Sequence, residues 1–135
     1  MELTWLSRWQ PQLLAALRIV AALLFMEHGL AKLVHFPVPQ PGAPNPLPPL
    51  LIAAAIIEMF GGVLVTLGLF TRIAAFIMSG EIAIGYFLAH FPKSFWPIVN
   101  QGEAAILFCF VFLYIAAAGP GAWSLDGRLR NARIK

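Results

Sequence analysis

Leu50-Leu-Ile-Ala-Ala-Ala-Ile-Ile-Glu58-Met-Phe-Gly61-Gly62-Val-Leu-Val-Thr-Leu-Gly-Leu69 runs twenty residues with a single charge. A bilayer core about 30 Å thick needs roughly 20 mostly apolar residues per helix, so this stretch reads as a membrane span. Pro49 precedes it, at the first turn, where a helix tolerates proline. Three further stretches meet the same requirement: Leu13–Val34, Ile73–His90 and Pro97–Ala118. The breaks between them are plain. Residues 36–49 hold seven of the eleven prolines and cannot be helical, which predicts an extended outer loop. Phe70-Thr71-Arg72 makes a tight second break, and Phe91-Pro-Lys-Ser-Phe-Trp-Pro97 the third. The expected fold is one all-α domain over residues 1–135, an integral membrane four-helix antiparallel bundle.

Composition excludes the alternatives. The chain has 135 residues, 60% of them hydrophobic and 11% charged, with mean hydropathy +0.81. Soluble domains carry about 25% charged residues. The length is expected to leave almost nothing for a separate soluble domain. The apolar content excludes disorder, the single Cys109 excludes a disulfide scaffold, and a scattered net charge of +3 gives no reason to expect nucleic acid.

Lys and Arg placement predicts orientation. Arg8, Arg72, Arg128, Arg130, Arg133 and Lys135 share the side of both termini, against Lys32 and Lys93 on the other. Six against two puts the termini, and the basic tail 126–135, in the cytoplasm. Aromatic belts agree, with Trp5, Trp9, Phe70 and Trp123 on one side and Phe36, Phe91, Phe95 and Trp96 on the other. The first span carries Arg18, Glu27 and Lys32 and lacks a small-residue cleavage site, so it reads as retained rather than as a signal peptide.

The informative residues are charges inside the spans: Arg18, Glu27, Lys32, Glu58, Glu81 and Glu103. Each costs about 2.5–3.5 kcal/mol at mid-bilayer on insertion scales unless neutralised, paired or hydrated. Counted from the span ends at about 1.5 Å per residue, the four acids fall in one layer roughly 10–15 Å below the outer surface. The expected pocket is built from Arg18, His28, Lys32, Glu58, Glu81 and Glu103. Glu27, Asn100 and His90 stand at its margin, Glu27 because it points nearly opposite to Arg18. Gly61 and Gly62 share the Glu58 face and allow a neighbouring helix to approach closely.

Several roles fit these residues. In the plainest, Lys32 and Arg18 pair with acids and the network only holds the bundle together. A di-iron centre would use Glu-x-x-His pairs, and the chain has none, so no metal is expected. Cys109, alone between Phe108 and Phe110, gives no thiol chemistry. Phe108, Phe110 and Phe112 read as core and lipid contact. The functional reading is a polar cavity below the proline-rich loop, which would act as its lid. A quinone head group suits it, because Arg, Lys and His hydrogen-bond carbonyls and a carboxylate moves protons. A transported solute or proton suits it equally. A third reading is a scaffold whose tail, Arg128–Lys135, docks a soluble partner. The small-residue stripe Ala75, Ser79, Ala83 serves either an internal contact or a homo-oligomer.

Taken together, Arg18, Phe25-Met-Glu-His28-Gly29-Leu-Ala-Lys32-Leu33, Glu58-Met-Phe-Gly61-Gly62, Leu67-Gly-Leu-Phe-Thr71-Arg72 and the closing Gly119-Pro-Gly121-Ala-Trp-Ser124-Leu-Asp126 resemble the DoxX family of small membrane proteins. The likeness covers roughly Arg18 to Asp126. It implies a bacterial inner-membrane protein of four helices, similar to a small subunit of thiosulfate:quinone oxidoreductase and to membrane partners of thiol and oxidative-stress enzymes. By that resemblance the motif positions fall on Arg18, Gly29, Lys32, Glu58, Gly61, Gly62, Thr71, Arg72, Gly119, Ser124 and Asp126, and Glu81 and Glu103 fit its polar tendency. No catalytic residue comes with it. The implied role is an accessory redox subunit with a soluble redox partner.

Overall fold

The structure, a computed structural model, describes residues 3–134; Lys135, counted above in the basic tail, lies outside the described residues. All regular structure among those residues is helical. In chain order the elements are α1 (Thr4–Ser7), α2 (Gln10–Leu33), α3 (Pro49–Leu67), α4 (Thr71–Gly85), α5 (Pro97–Asn100), α6 (Glu103–Ala118) and α7 (Leu125–Ala132). A π-helical turn, Tyr86–His90, extends α4. Three helices are long and apolar enough to cross a membrane: α2, α3, and α4 together with its π turn. The shorter α6 completes the bundle.

Local chemistry sets the boundaries. Pro11 and Pro49 lie in the first turns of α2 and α3, where their missing N–H groups would have no helical partner. Helix α3 stops at Gly68, whose φ of +69° is the left-handed conformation a side chain resists. A Cβ there would also stand 2.5 Å from Ser124 Cβ.

The fourth apolar stretch departs from the expected single span. It divides into α5 and α6 at Gln101, whose φ is +59°. The reason lies in Asn100, which is fully buried. Its amide donates to the Ser94 carbonyl (2.9 Å) and the Tyr86 hydroxyl (3.2 Å), and accepts from the Gly102 N–H (2.7 Å). These bonds replace the helical ladder for one turn. The membrane-depth helix therefore starts at Glu103 rather than Pro97.

The helices form a ring in the order α2, α3, α4, α6, closed by α6 against α2. Gly29 brings α2 onto α3; a Cβ there would stand 2.8 Å from the Ala55 carbonyl oxygen. Gly62 returns the fit, with Met26 Cβ 2.9 Å from its own would-be Cβ. Gly61 makes room for Met78 of α4. Small residues at these crossings let van der Waals contact hold the bundle where lipid supplies no hydrophobic drive. The core is Ala21, Ala22, Phe25, Val65, Ala74, Ala75, Met78, Phe112 and Ile115. Phe112 is fully buried, edge-on to Phe25 at 5.1 Å, while Phe110 is 64% exposed on the outer surface. That surface exposes many leucine, isoleucine, valine and phenylalanine side chains, more than a protein in water ordinarily leaves uncovered.

The small-residue stripe on α4 turns inward. Ala75 and Ser79 are buried, and the Ser79 hydroxyl donates to the Cys109 carbonyl of α6 at 2.8 Å.

Candidate functional site

Of the six residues expected to share one pocket, His28, Lys32, Glu58 and Glu81 line one cavity, while Arg18 and Glu103 lie apart from it. At the end of the bundle near the proline-rich loop, Lys32 of α2 reaches Glu58 of α3. Its Nζ donates to Glu58 Oε1 at 2.5 Å, with both side chains almost fully buried. Among the described residues this is the one side-chain ion pair. It lines a cavity of about 780 Å³ between α2, α3, α4 and α6, whose remaining walls are mostly alanine, leucine, isoleucine and phenylalanine. Glu81 and His28 line the same cavity, as does His90 from the π turn. His28 stands edge-on to Phe108, 6.3 Å between ring centres. Three oxygens in this wall are buried without a hydrogen-bond partner: Glu58 Oε2, Glu81 Oε2 and Gln40 Oε1.

Four expected members do not join. Glu27 is exposed on the face of α2 opposite its buried stripe of Arg18, Ala22, Phe25 and Gly29, and does not line the cavity. Glu103 is exposed in the first turn of α6, because the break at Gln101 makes it a helix start. There its charge complements the positive end of the helix dipole. Asn100 is committed to its own turn, and its carbonyl holds His90 Nδ1 at 3.0 Å. Arg18, the third expected pocket cation, lies fourteen residues before Lys32, about 21 Å away along the helix.

Arg18 organises the opposite end. It is fully buried, and its five N–H donors meet five backbone carbonyls. Nε reaches Pro120, Nη1 reaches Val65 and Thr66 at the end of α3, and Nη2 reaches Ala122 and Trp123. Arg72 does similar work on the last carbonyls of α6, at Ala116, Ala117 and Ala118, beside Gly119 with its φ of +91°. Ser124 caps α7 through the Gly127 N–H (3.1 Å). Asp126 then caps α4 from outside: its two carboxylate oxygens accept the N–H groups of Phe70 and Thr71, each at 2.9 Å. The motif residues Gly68 to Arg72 and Gly119 to Asp126 thus close one polar knot with Arg18 at its centre.

Burial pushes the Asp126 carboxyl up, but the Thr71 and Phe70 amides and the Arg18 charge outweigh it and hold it below the ordinary aspartate range. A lowered folded value means the stabilisation is complete above the unfolded value, about 3.9, and fades as pH falls below it. The melting temperature of the detergent-solubilised protein is expected to drop below about pH 4, with a shallower drop in Asp126→Asn. Asp126→Ala removes the cap and is expected to cost about 1 kcal/mol at neutral pH; thermal melts across pH check both.

Sequence reasoning missed Gln40, Gln101 and the π turn. Gln40 folds back so that its N–H meets the Ala31 carbonyl at 3.4 Å, which brings the proline-rich loop onto the cavity. Its signal was present, since Gln40 and Asn45 are the two polar side chains within that loop. The π turn, which brings Leu88, Ala89 and His90 to the cavity wall, has no comparable sequence mark. Among the described residues, no three His, Cys, Asp or Glu side chains converge as a metal site would require.

Comparison with known proteins bears on this arrangement. The DoxX family model matches residues 13–91. The chain is 44% identical to an uncharacterized protein of Haemophilus influenzae, covering 91% of this chain and 95% of that one. It is 30% identical to the inner membrane protein YphA of Escherichia coli, over 88% and 91% of the two chains. It is 28% identical to an uncharacterized membrane protein of Mycobacterium tuberculosis, over 88% and 82%. No solved structure matches it.

Proposed function

The chain belongs to the DoxX family of membrane proteins, and on that premise we propose that it is an accessory, non-catalytic membrane subunit holding a small lipid-soluble molecule with a polar head in its intramembrane cavity. A quinone is the ligand class that a redox role would require. The observation that carries this reading is the buried Lys32–Glu58 pair beside Glu81 in an otherwise apolar cavity. Its volume of about 780 Å³ falls within the range of roughly 300–1,000 Å³ common to small-molecule sites. Its lining includes Phe76, Ile77, Ile84 and Leu88, which are also exposed on the outer surface, a route by which a ligand dissolved in the bilayer would enter. Lys32, His28, His90 and Gln101 supply donors for carbonyl oxygens, and the free oxygens of Glu58 and Glu81 supply acceptors. These residues fit a quinone ring; such a group would supply electron transfer when bound, while the protein's own part is to bind and orient it.

The bacterial inner membrane, with both termini cytoplasmic, is the location this reading takes; the name of YphA and the distribution of Lys and Arg support it. The exposed Arg128, Arg130 and Arg133 on and after α7 would then face a soluble redox partner. A second reading, proton or solute passage, is favoured by the unpartnered Glu81 oxygen.

Protein reconstituted in nanodiscs is expected to bind a short-chain quinone analogue saturably, followed by intrinsic tryptophan fluorescence, and Glu58→Gln or Glu81→Gln should weaken binding at least tenfold. Absence of binding, together with wild-type respiratory activity of both variants, overturns the proposal. Proton flux in proteoliposomes that Glu81→Gln abolishes would establish the second reading instead.

A further inference from the structure

We infer that the cavity selects ligands whose head group donates hydrogen bonds over ligands that only accept them. This rests on the reading that the cavity holds a lipid-soluble molecule, and it specifies the chemistry of that molecule's head. The wall leaves acceptors unmet. Glu58 is 2% exposed, and its Oε1 is taken by Lys32 while its Oε2 has no partner. Glu81 Oε2 is likewise buried and unpartnered, and Gln40 Oε1 adds a third free acceptor from the loop.

Among the described residues, no buried nitrogen of this wall is left without a partner, whereas three oxygens are. Lys32 donates one N–H to Glu58, and His90 Nδ1 meets the Asn100 carbonyl. An apolar ring carrying hydroxyl groups would satisfy the free oxygens on entry. A ring carrying only carbonyl oxygens would set acceptor against acceptor and leave all three unpaired, a desolvation cost that does not arise with the donor. An alkylammonium head offers the same donors with a charge. For a quinone-type ligand this selects the reduced, dihydroxy form.

The test holds ring shape fixed and varies only the donors. Durohydroquinone, duroquinone and durohydroquinone dimethyl ether are titrated anaerobically into the full-length protein in nanodiscs, with hexylammonium as a competitor. Durohydroquinone is expected to bind at least about tenfold more tightly than the quinone or the ether, the ratio that one charge-assisted hydrogen bond yields. Glu81→Gln, which keeps the volume but removes the second carboxylate, should bring that ratio towards one. A thermal melt of the variant checks that it is folded, and Gln40→Leu, at the loop, gives an independent smaller reduction. Competition by hexylammonium assigns the selection to charged donors, and its absence to neutral hydroxyls; each supports the inference. Equal binding of all three rings, or tighter binding of the quinone, overturns it and leaves the cavity reading intact. Failure of every ring and of the amine to bind overturns both.

Discussion

Arg18→Met is expected to destabilise the protein by about 3–5 kcal/mol, and Arg18→Lys by somewhat less, although lysine keeps the charge. Five carbonyls converge on the guanidinium from three separate segments: the end of α3, Pro120, and Ala122–Trp123. Each buried carbonyl left without a donor costs about 1–3 kcal/mol, and relaxation at the bundle end would rescue some of them. Lysine offers three donors from one point where arginine offers five in a planar fork, so at least two carbonyls remain unmet. Asp126 reaches the α4 amides rather than Arg18, so the guanidinium acts chiefly as a multiple donor to backbone and only secondarily as a counter-charge. Urea or SDS unfolding in mixed micelles gives the free energies. A wild-type value for Arg18→Lys would show that charge, not the fork, matters there.

The same residue marks how far the sequence could be read. The spans were legible because their lengths and their proline or glycine breaks follow from bilayer thickness and backbone sterics. In sequence Arg18 reads as a pocket cation, because an intramembrane charge suggests an acid or water as its partner. Its actual partners are backbone carbonyls released where α3 ends and where the chain crosses back at 120–123, and no side-chain pattern announces carbonyls. Counting from Trp96 along one helix sets Glu103 at the depth of Glu58. The left-handed Gln101 removes that continuity, and the acid becomes a helix-start residue. Asn100-Gln101-Gly102 did carry a turn signal, but the apolar run on either side of it reads more strongly as one span. Glu58 and Glu81 meet in one cavity as the counts from two different breaks imply, because each count lies within an unbroken helix. Glu27 lies at the same count on an unbroken α2 but on its outer face, which a depth count alone does not register.

Lys32→Met is expected to be as costly as the loss of Arg18, about 3–5 kcal/mol, because it strands Glu58 in an apolar wall with no cation. The informative comparison is the double variant. A buried ion pair replaced by apolar residues of similar volume is often neutral, or stabilising by about 1–4 kcal/mol, since the desolvation of both charges is avoided. Lys32→Met with Glu58→Leu is therefore expected to regain wild-type stability or exceed it. That outcome separates the two meanings of the pair. If the charges only hold α2 to α3, the double variant should keep whatever activity and ligand binding the wild type has, because Gly29 against Ala55 and Gly62 against Met26 already fix that crossing. If the pair serves the cavity, the double variant should be stable and unable to bind. Its unfolding free energy and its ligand titration, measured on one nanodisc preparation, decide between them. A double variant as unstable as Lys32→Met alone would show that the pair is structural after all, and that the glycine crossings do not suffice without it.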